Sequence, residues 1–174
     1  MKIYLVGYMG SGKSTLGSDL AKVMGFSWVD LDAEFEIKYK ISIPDFFAKY
    51  GEPAFRELEH KLLKDISLAT DIIISTGGGT PCYFGSMDFM NQNGLTIYLE
   101  ATPDLLLSRI KPLSRKRPLF QQMKGKHSLQ NLSQHLESRL VFYKKAKITI
   151  DATKPNIAEV KKLILNYTAT ISFL

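Results

Sequence analysis

Apolar residues fall into short, nearly continuous bursts separated by longer stretches in which they recur every three or four positions. The bursts at residues 3–6, 27–31, 71–75, 95–99 and 147–150 have the length of strands. The runs Ile72-Ile73-Ile74 and Thr96-Ile97-Tyr98-Leu99 are almost wholly apolar, as expected of strands covered on both faces. Helical periods cover residues 13–24, 43–50, 53–68, 103–110, 129–145 and 155–167. In the third of these Pro53 takes a first-turn position, and Phe55, Leu58, Leu62, Leu63 and Ile66 line one side. Parallel neighbours need crossovers of roughly a dozen residues or more, so five strands alternating with helices predict an α/β fold with a five-stranded parallel sheet flanked by helices. Residues 111–128 lose the period, contain Pro112, Pro118 and Gly125, and predict a mobile loop. Trp28, the only tryptophan, falls in the second strand and is expected in the core.

The 174 residues are 45% apolar and 23% charged, which suits one globular unit with a full core and excludes intrinsic disorder. No stretch approaches the roughly 20 apolar residues that span a bilayer. Met1-Lys2 leads straight into the first strand, so no secretory leader is expected and a soluble, cytoplasmic protein is. Cys82 has no cysteine to pair with, which suits a reducing compartment, and it is expected to be an inert thiol. His60, His127 and His135 are scattered, show no zinc pattern, and are expected at surface or helix-packing positions.

The formal charge of +6 is uneven: residues 105–150 hold eleven basic residues against Glu137 alone, +10, leaving −4 elsewhere. Such a block suits the phosphates and carboxylate of small ligands, a nucleic acid, a membrane surface or a solvated face. Sparse aromatics and the lack of any recognition-helix, zinc-finger or stacking-platform signature weigh against nucleic acid.

Gly7-Tyr8-Met9-Gly10-Ser11-Gly12-Lys13-Ser14 matches G-x-x-x-x-G-K-[ST], between an apolar strand and a helical period. Its glycines let backbone N–H groups turn inward around phosphate oxygens, and the helix that follows aims its positive end at the same anion. Lys13 can reach the β- and γ-phosphates, and the Ser14 hydroxyl is suited to Mg²⁺. ATPases, GTPases and small-molecule kinases all use such a loop. Asp30 and Asp32, two apart at the end of the second strand, are expected to project from one face where ligands bind in open α/β sheets. One could serve the metal and the other an acceptor hydroxyl; alternatively Asp32 caps a helix beginning near Ala33.

Behind the phosphate loop the chain resembles the shikimate kinase family, within the nucleoside-monophosphate-kinase-like P-loop group. Asp30-Leu31-Asp32 looks like its DxD element, and residues 51–59 resemble its GE-x-x-FR-x-x-E segment. Ser75-Thr76-Gly77-Gly78-Gly79 resembles its glycine loop, Arg117-Pro118-Leu119 the RPL of its lid, and Arg139 with Tyr143 the R-x-x-x-Y beyond the lid. The resemblance covers nearly the whole chain. It implies a three-layer P-loop fold, one kinase domain over residues 1–174, with a helical substrate-binding segment at about 32–60 and a mobile lid at about 111–128.

It further implies transfer of the γ-phosphoryl group of ATP, with Mg²⁺, to the 3-hydroxyl of shikimate. Gly10, Ser11, Gly12, Lys13, Ser14 and Thr15 hold the nucleotide, Arg109 packs against adenine, and residues 154–156 fall where the family completes that pocket. Ser14 binds Mg²⁺ directly and Asp30 through water. Asp32, Arg56, Gly78 and Arg139 hold shikimate, within the run Gly77, Gly78 and Gly79 whose backbone can approach a ligand closely. The residue types agree, since arginines offer planar forks to a carboxylate and an aspartate accepts hydroxyl protons. Catalytic roles fall to Asp32, Lys13 and Arg117, with Arg115 and Lys116 left open as helpers. The expected partners are ATP and shikimate, with no nucleic acid and no membrane, and the expected state is a monomer.

Overall fold

Alternation along β1 (Lys2–Val6) sends Tyr4 and Val6 to one side and Ile3 and Leu5 to the other, and all four are fully buried. A strand buried on both faces requires helices on both sides of its sheet. The computed structural model, which describes residues 1–110 and 128–171, has that form. After β1 come α1 (Lys13–Met24), β2 (Ser27–Asp30), α2 (Leu31–Tyr39), α3 (Ile43–Ile66), β3 (Ile72–Ser75) and a 3-10 turn at Thr80–Cys82. They are followed by α4 (Ser86–Asn93), β4 (Leu95–Glu100), α5 (Pro103–Ile110), α6 (Ser128–Tyr143), β5 (Ile148–Asp151) and α7 (Ile157–Ile171).

The sheet is parallel throughout in the order β2-β3-β1-β4-β5. Leu16, Leu20 and Ala21 of α1, with Val160 and Ile164 of α7, close one face over Ile3, Leu5, Ile73 and Ile97. On the other face Tyr4, Ile74 and Tyr98 meet Phe35, Phe46 and Phe55 of α2 and α3, Met87 and Met90 of α4, and Leu132, Leu136 and Tyr143 of α6. These are the three layers expected. The chain leaves β1 for β2 on one side and reaches β4 on the other, so the order reverses at β1 and opens a crevice at its carboxyl end.

The structure corrects four details. The expected helices 43–50 and 53–68 run on as α3, joined at Gly51, whose φ of 79° and ψ of 168° kink the axis two residues before Pro53. α4 was not expected and α2 only as an alternative beginning near Ala33, because only Leu31 and Phe35 of α2, and Ser86, Met87 and Met90 of α4, are buried, too few to register as a period. β2 ends at Asp30, so Asp30 and Asp32 do not share a strand face. The Asp30 carboxylate accepts from the backbone N–H groups of Asp32 and Ala33 at 3.1 and 3.2 Å and starts α2 itself. Capping thus belongs to Asp30, and Asp32 sits in the first turn. Trp28 is 37% exposed rather than core, because β2 is an edge strand. Residues 111–127, which hold most of the expected lid and Arg117, lie outside the described residues.

Candidate active site

The phosphate loop joins β1 to α1 at the crevice. The Lys13 ammonium, with the side chain mostly buried, donates to the Gly7 carbonyl at 2.8 Å and the Tyr8 carbonyl at 2.9 Å. A cleft of about 590 Å³ is lined by Gly10, Ser11, Gly12, Lys13, Ser14 and Thr15 together with Asp30, Asp32, Gly78 and Arg109. Arg109 spans it: Nη1 donates to the Ser11 carbonyl at 3.2 Å, and Nη2 to the carbonyls of Ala152 and Thr153 at 2.9 and 3.1 Å. That bond set anchors the β5–α7 loop to the phosphate loop and brings Ala152, Pro155 and Ile157 to the cleft wall. Of these, only Pro155 lies in the stretch singled out from sequence.

Ser14 Oγ donates to Asp30 Oδ2, so a hydroxyl and a carboxylate stand together beside Lys13. Asp30 Oδ1 is occupied by the cap of α2, which fixes the carboxylate toward Ser14. Among the described residues no three His, Cys, Asp or Glu side chains gather to hold a metal.

Behind Gly78 a second cluster forms, and the glycine run is its centre. A β-carbon on Gly77 would lie 2.7 Å from Asp32 Oδ1 and 2.8 Å from Glu59 Oε1. One on Gly78 would lie 3.2 Å from the Met9 backbone nitrogen and 3.4 Å from Arg139 Nη1. One on Gly79 would collide with the Arg56 guanidinium. Asp32, Arg56 and Arg139 are thereby brought together around this loop, where the lack of β-carbons lets their side chains come close.

Arg56 is held on every side. Its Nε and Nη2 donate to Glu52 Oε1 at 3.0 and 2.9 Å, and Nη1 donates to Glu59 Oε2 at 2.8 Å. The rings of Phe55 and Tyr83 lie 5.0 and 4.8 Å from its guanidinium carbon. Burial pulls its pKa down, but Glu59 and Glu52 outweigh burial and raise it. Glu59, itself buried, also accepts from the Thr80 hydroxyl at 2.6 Å. Arg139 is only 7% exposed, lies 5.6 Å over the Tyr8 ring, and forms no ion pair with a carboxylate among the described residues. Burial pushes the Cys82 thiol up, against Arg139 and Arg56, in keeping with an inert thiol.

Sequence reasoning placed Glu52 and Glu59 within pairing reach of Arg56 and missed Thr80 and Tyr83. The only available signal was spacing: Glu52 and Glu59 lie four before and three after Arg56, within reach on a helix.

A family model described as Shikimate kinase matches residues 9–169. The shikimate kinase of Parabacteroides distasonis is 42% identical over 88% of this chain and 88% of its own length. Among solved structures, the shikimate kinase of Bacteroides thetaiotaomicron aligns with a TM-score of 0.87 and 33% identity, covering 94% of this chain and 97% of that one. The Acinetobacter baumannii enzyme in complex with shikimate aligns at 0.85 and 32%, covering 97% and 93%. By family match and by identity over most of its length, the chain that carries this phosphate loop, glycine run and pair of arginines belongs to the shikimate kinase family.

Proposed function

We propose that this chain transfers the γ-phosphoryl group of ATP to the 3-hydroxyl of shikimate, giving shikimate 3-phosphate and ADP. The observation that carries the reading is the buried Arg139 guanidinium beside Gly78, without a carboxylate partner among the described residues, with Asp32 beside the neighbouring Gly77. A buried guanidinium favours a carboxylate from elsewhere, and shikimate carries one carboxylate and three hydroxyls.

Arg139 and Arg56 grip that carboxylate, and the close approach of the glycine run holds the ring with its 3-hydroxyl toward Asp32. Asp32 orients the hydroxyl and takes its proton late in a loose transition state. Lys13 leaves the two carbonyls that hold it and moves onto the γ-phosphoryl oxygens, where it neutralises developing charge. Arg117, outside the described residues, is assigned to the same charge through the family's RPL motif. Arg109, already fixed against the β5–α7 loop, forms the wall against which adenine packs.

A hydroxyl and a carboxylate side by side fit Mg²⁺, which keeps most of its own water and takes few protein ligands. Ser14 would hold it and Asp30 would act through water; the ion would supply positive charge to offset that of the nucleotide's phosphates.

We further read residues 1–174 as one catalytic domain with an acceptor segment at about 32–60 and a lid at about 111–128. The protein works as a cytoplasmic monomer on two small anions, with no nucleic acid and no membrane partner. Among the described residues no helix is long and apolar enough to cross a membrane.

The test is ADP release in a coupled assay with ATP and Mg²⁺, offering shikimate, gluconate and nucleoside monophosphates in turn. Turnover with shikimate alone is expected. Preference for another acceptor would keep the phosphate-loop chemistry and overturn the roles of Asp32, Arg56 and Arg139.

A further inference from the structure

His135, Arg139 and Tyr143 follow one another at intervals of four along α6, and that spacing sets them on one face. All three meet the site. The Tyr143 hydroxyl donates to the Gly78 carbonyl at 2.6 Å. Arg139 lies over the Tyr8 ring, 5.6 Å from its centre. One turn earlier, His135 Nδ1 stands 2.6 Å from the Tyr8 hydroxyl, with the two rings edge to face at 5.5 Å and 81°.

Tyr8 belongs to the phosphate loop, is 1% exposed, and accepts from Lys13 through its carbonyl. The loop motif places no demand on the side chain here, since phosphate is cradled by backbone N–H groups. The phenol is nonetheless fully enclosed, with its ring under the acceptor arginine and its hydroxyl on a histidine 127 positions away. Burial pushes the Tyr8 phenol up to about 12, Arg139 opposing. Burial, then Arg139, lowers the His135 imidazole, with Glu52 of α3 opposing and Arg56 of α3 adding. At neutral pH the phenol therefore keeps its proton and shares one hydrogen bond with a neutral imidazole, the ring tautomer setting which of the two donates.

We propose that His135, acting through the Tyr8 hydroxyl, is a positioning residue that fixes the register of α6 on the phosphate loop and so holds Arg139 where the acceptor's carboxylate binds. The proposal rests on the acceptor assignment above. Arg139 sits between two anchors, His135 on Tyr8 and Tyr143 on Gly78, one turn to either side. With both in place the guanidinium is preorganised, and its long side chain loses little further freedom when the carboxylate arrives. With the first removed, Leu132 and Leu136 still pack in the core but the polar anchor before Arg139 is lost, and the cost of ordering Arg139 falls on acceptor binding. The nucleotide's contacts, made by the loop backbone and Lys13, do not pass through this bond.

The test compares steady-state kinetics of the wild type with His135→Ala, His135→Asn, Tyr8→Phe and the His135→Ala/Tyr8→Phe double variant. Loss of one buried hydrogen bond should raise the KM for shikimate about 3- to 10-fold in each single alanine or phenylalanine variant, with the KM for ATP within about twofold of wild type. The double variant should be no worse than either single one, because both remove the same bond. His135→Asn, which keeps a polar atom near the Nδ1 position, should recover most of the loss. Should His135→Ala fail to fold, Tyr8→Phe carries the same expectation through the loss of one oxygen. An unchanged KM for shikimate, equal rises for both substrates, or additive effects would overturn the positioning role while leaving the acceptor assignment standing. A wild type that turns over ATP with no dependence on shikimate would overturn the acceptor assignment and this role with it.

Discussion

A β-carbon on Gly79 would enter the Arg56 guanidinium, which must then leave its place between Glu52, Glu59, Phe55 and Tyr83. Gly79→Ala should therefore displace the guanidinium from the acceptor's carboxylate. The expected result is a rise of about tenfold or more in the KM for shikimate, equivalent to about 1.4 kcal/mol, with the KM for ATP unchanged. Arg56→Ala makes a poorer probe, because it strips the partner from buried Glu59, and breaking such a pair costs about 3–5 kcal/mol of stability. His60 and His135 carry a second expectation. Burial lowers both pKa values below the ordinary 6.5, with Lys64 adding at His60 and Arg139 at His135. The unfolded chain then binds more protons than the folded one as pH falls through 6.5, so stability is full above that value and lost below it. Urea midpoints measured at about pH 7.5 and about pH 5.5 should show the acid loss, and His135→Asn should shrink it. Asp65, held below 3.8 by its hydrogen bond from Lys38, contributes a separate loss at lower pH.

The edge strand β2 is tied to the phosphate loop by a chain of two hydrogen bonds. Trp28 Nε1 donates to Ser75 Oγ of β3 at 3.1 Å, and Ser75 Oγ donates to the Lys13 carbonyl at 2.9 Å. The indole also rests on Gly17 of α1, where a β-carbon would lie 2.6 Å from Nε1. Because Trp28 is the only tryptophan, its fluorescence reports this junction without background. Adding ADP should shift the emission as Lys13 and α1 settle on phosphate, and Ser75→Ala should blunt the response; emission indifferent to ADP would break the connection. The same strand explains where sequence reading stopped short. Val29-Asp30-Leu31 continues a strand-like run, and only the Asp30 carboxylate, by capping Asp32 and Ala33, turns the chain into α2.

The parallel sheet and its strands were legible because each strand is a local burst of apolar residues. The reversal of strand order at β1, which opens the crevice, was not, since register and neighbours are long-range properties. The site divides in the same way. Residues 7–14 form one contiguous motif and announce themselves, and the family's short motifs pointed to Asp32, Arg56 and Arg139. The local supports of Arg56, Glu52 and Glu59, were within reach of helix spacing, but the long-range ones were invisible, because Thr80 meets Glu59 across 21 positions and Tyr8 meets His135 across 127. The Lys13 ammonium rests on two carbonyls of its own loop, so an arriving anion must first displace bonds worth about 1.5–3 kcal/mol each for a charged donor. Orthophosphate, with a single phosphoryl group to offer, meets a toll that a nucleotide covers through its several phosphates and its base. Equal millimolar additions of ADP and orthophosphate should therefore diverge, the first raising the melting temperature and the second leaving it nearly still. On that expectation the bonds of Lys13 to its own loop set a threshold on phosphate-chain length.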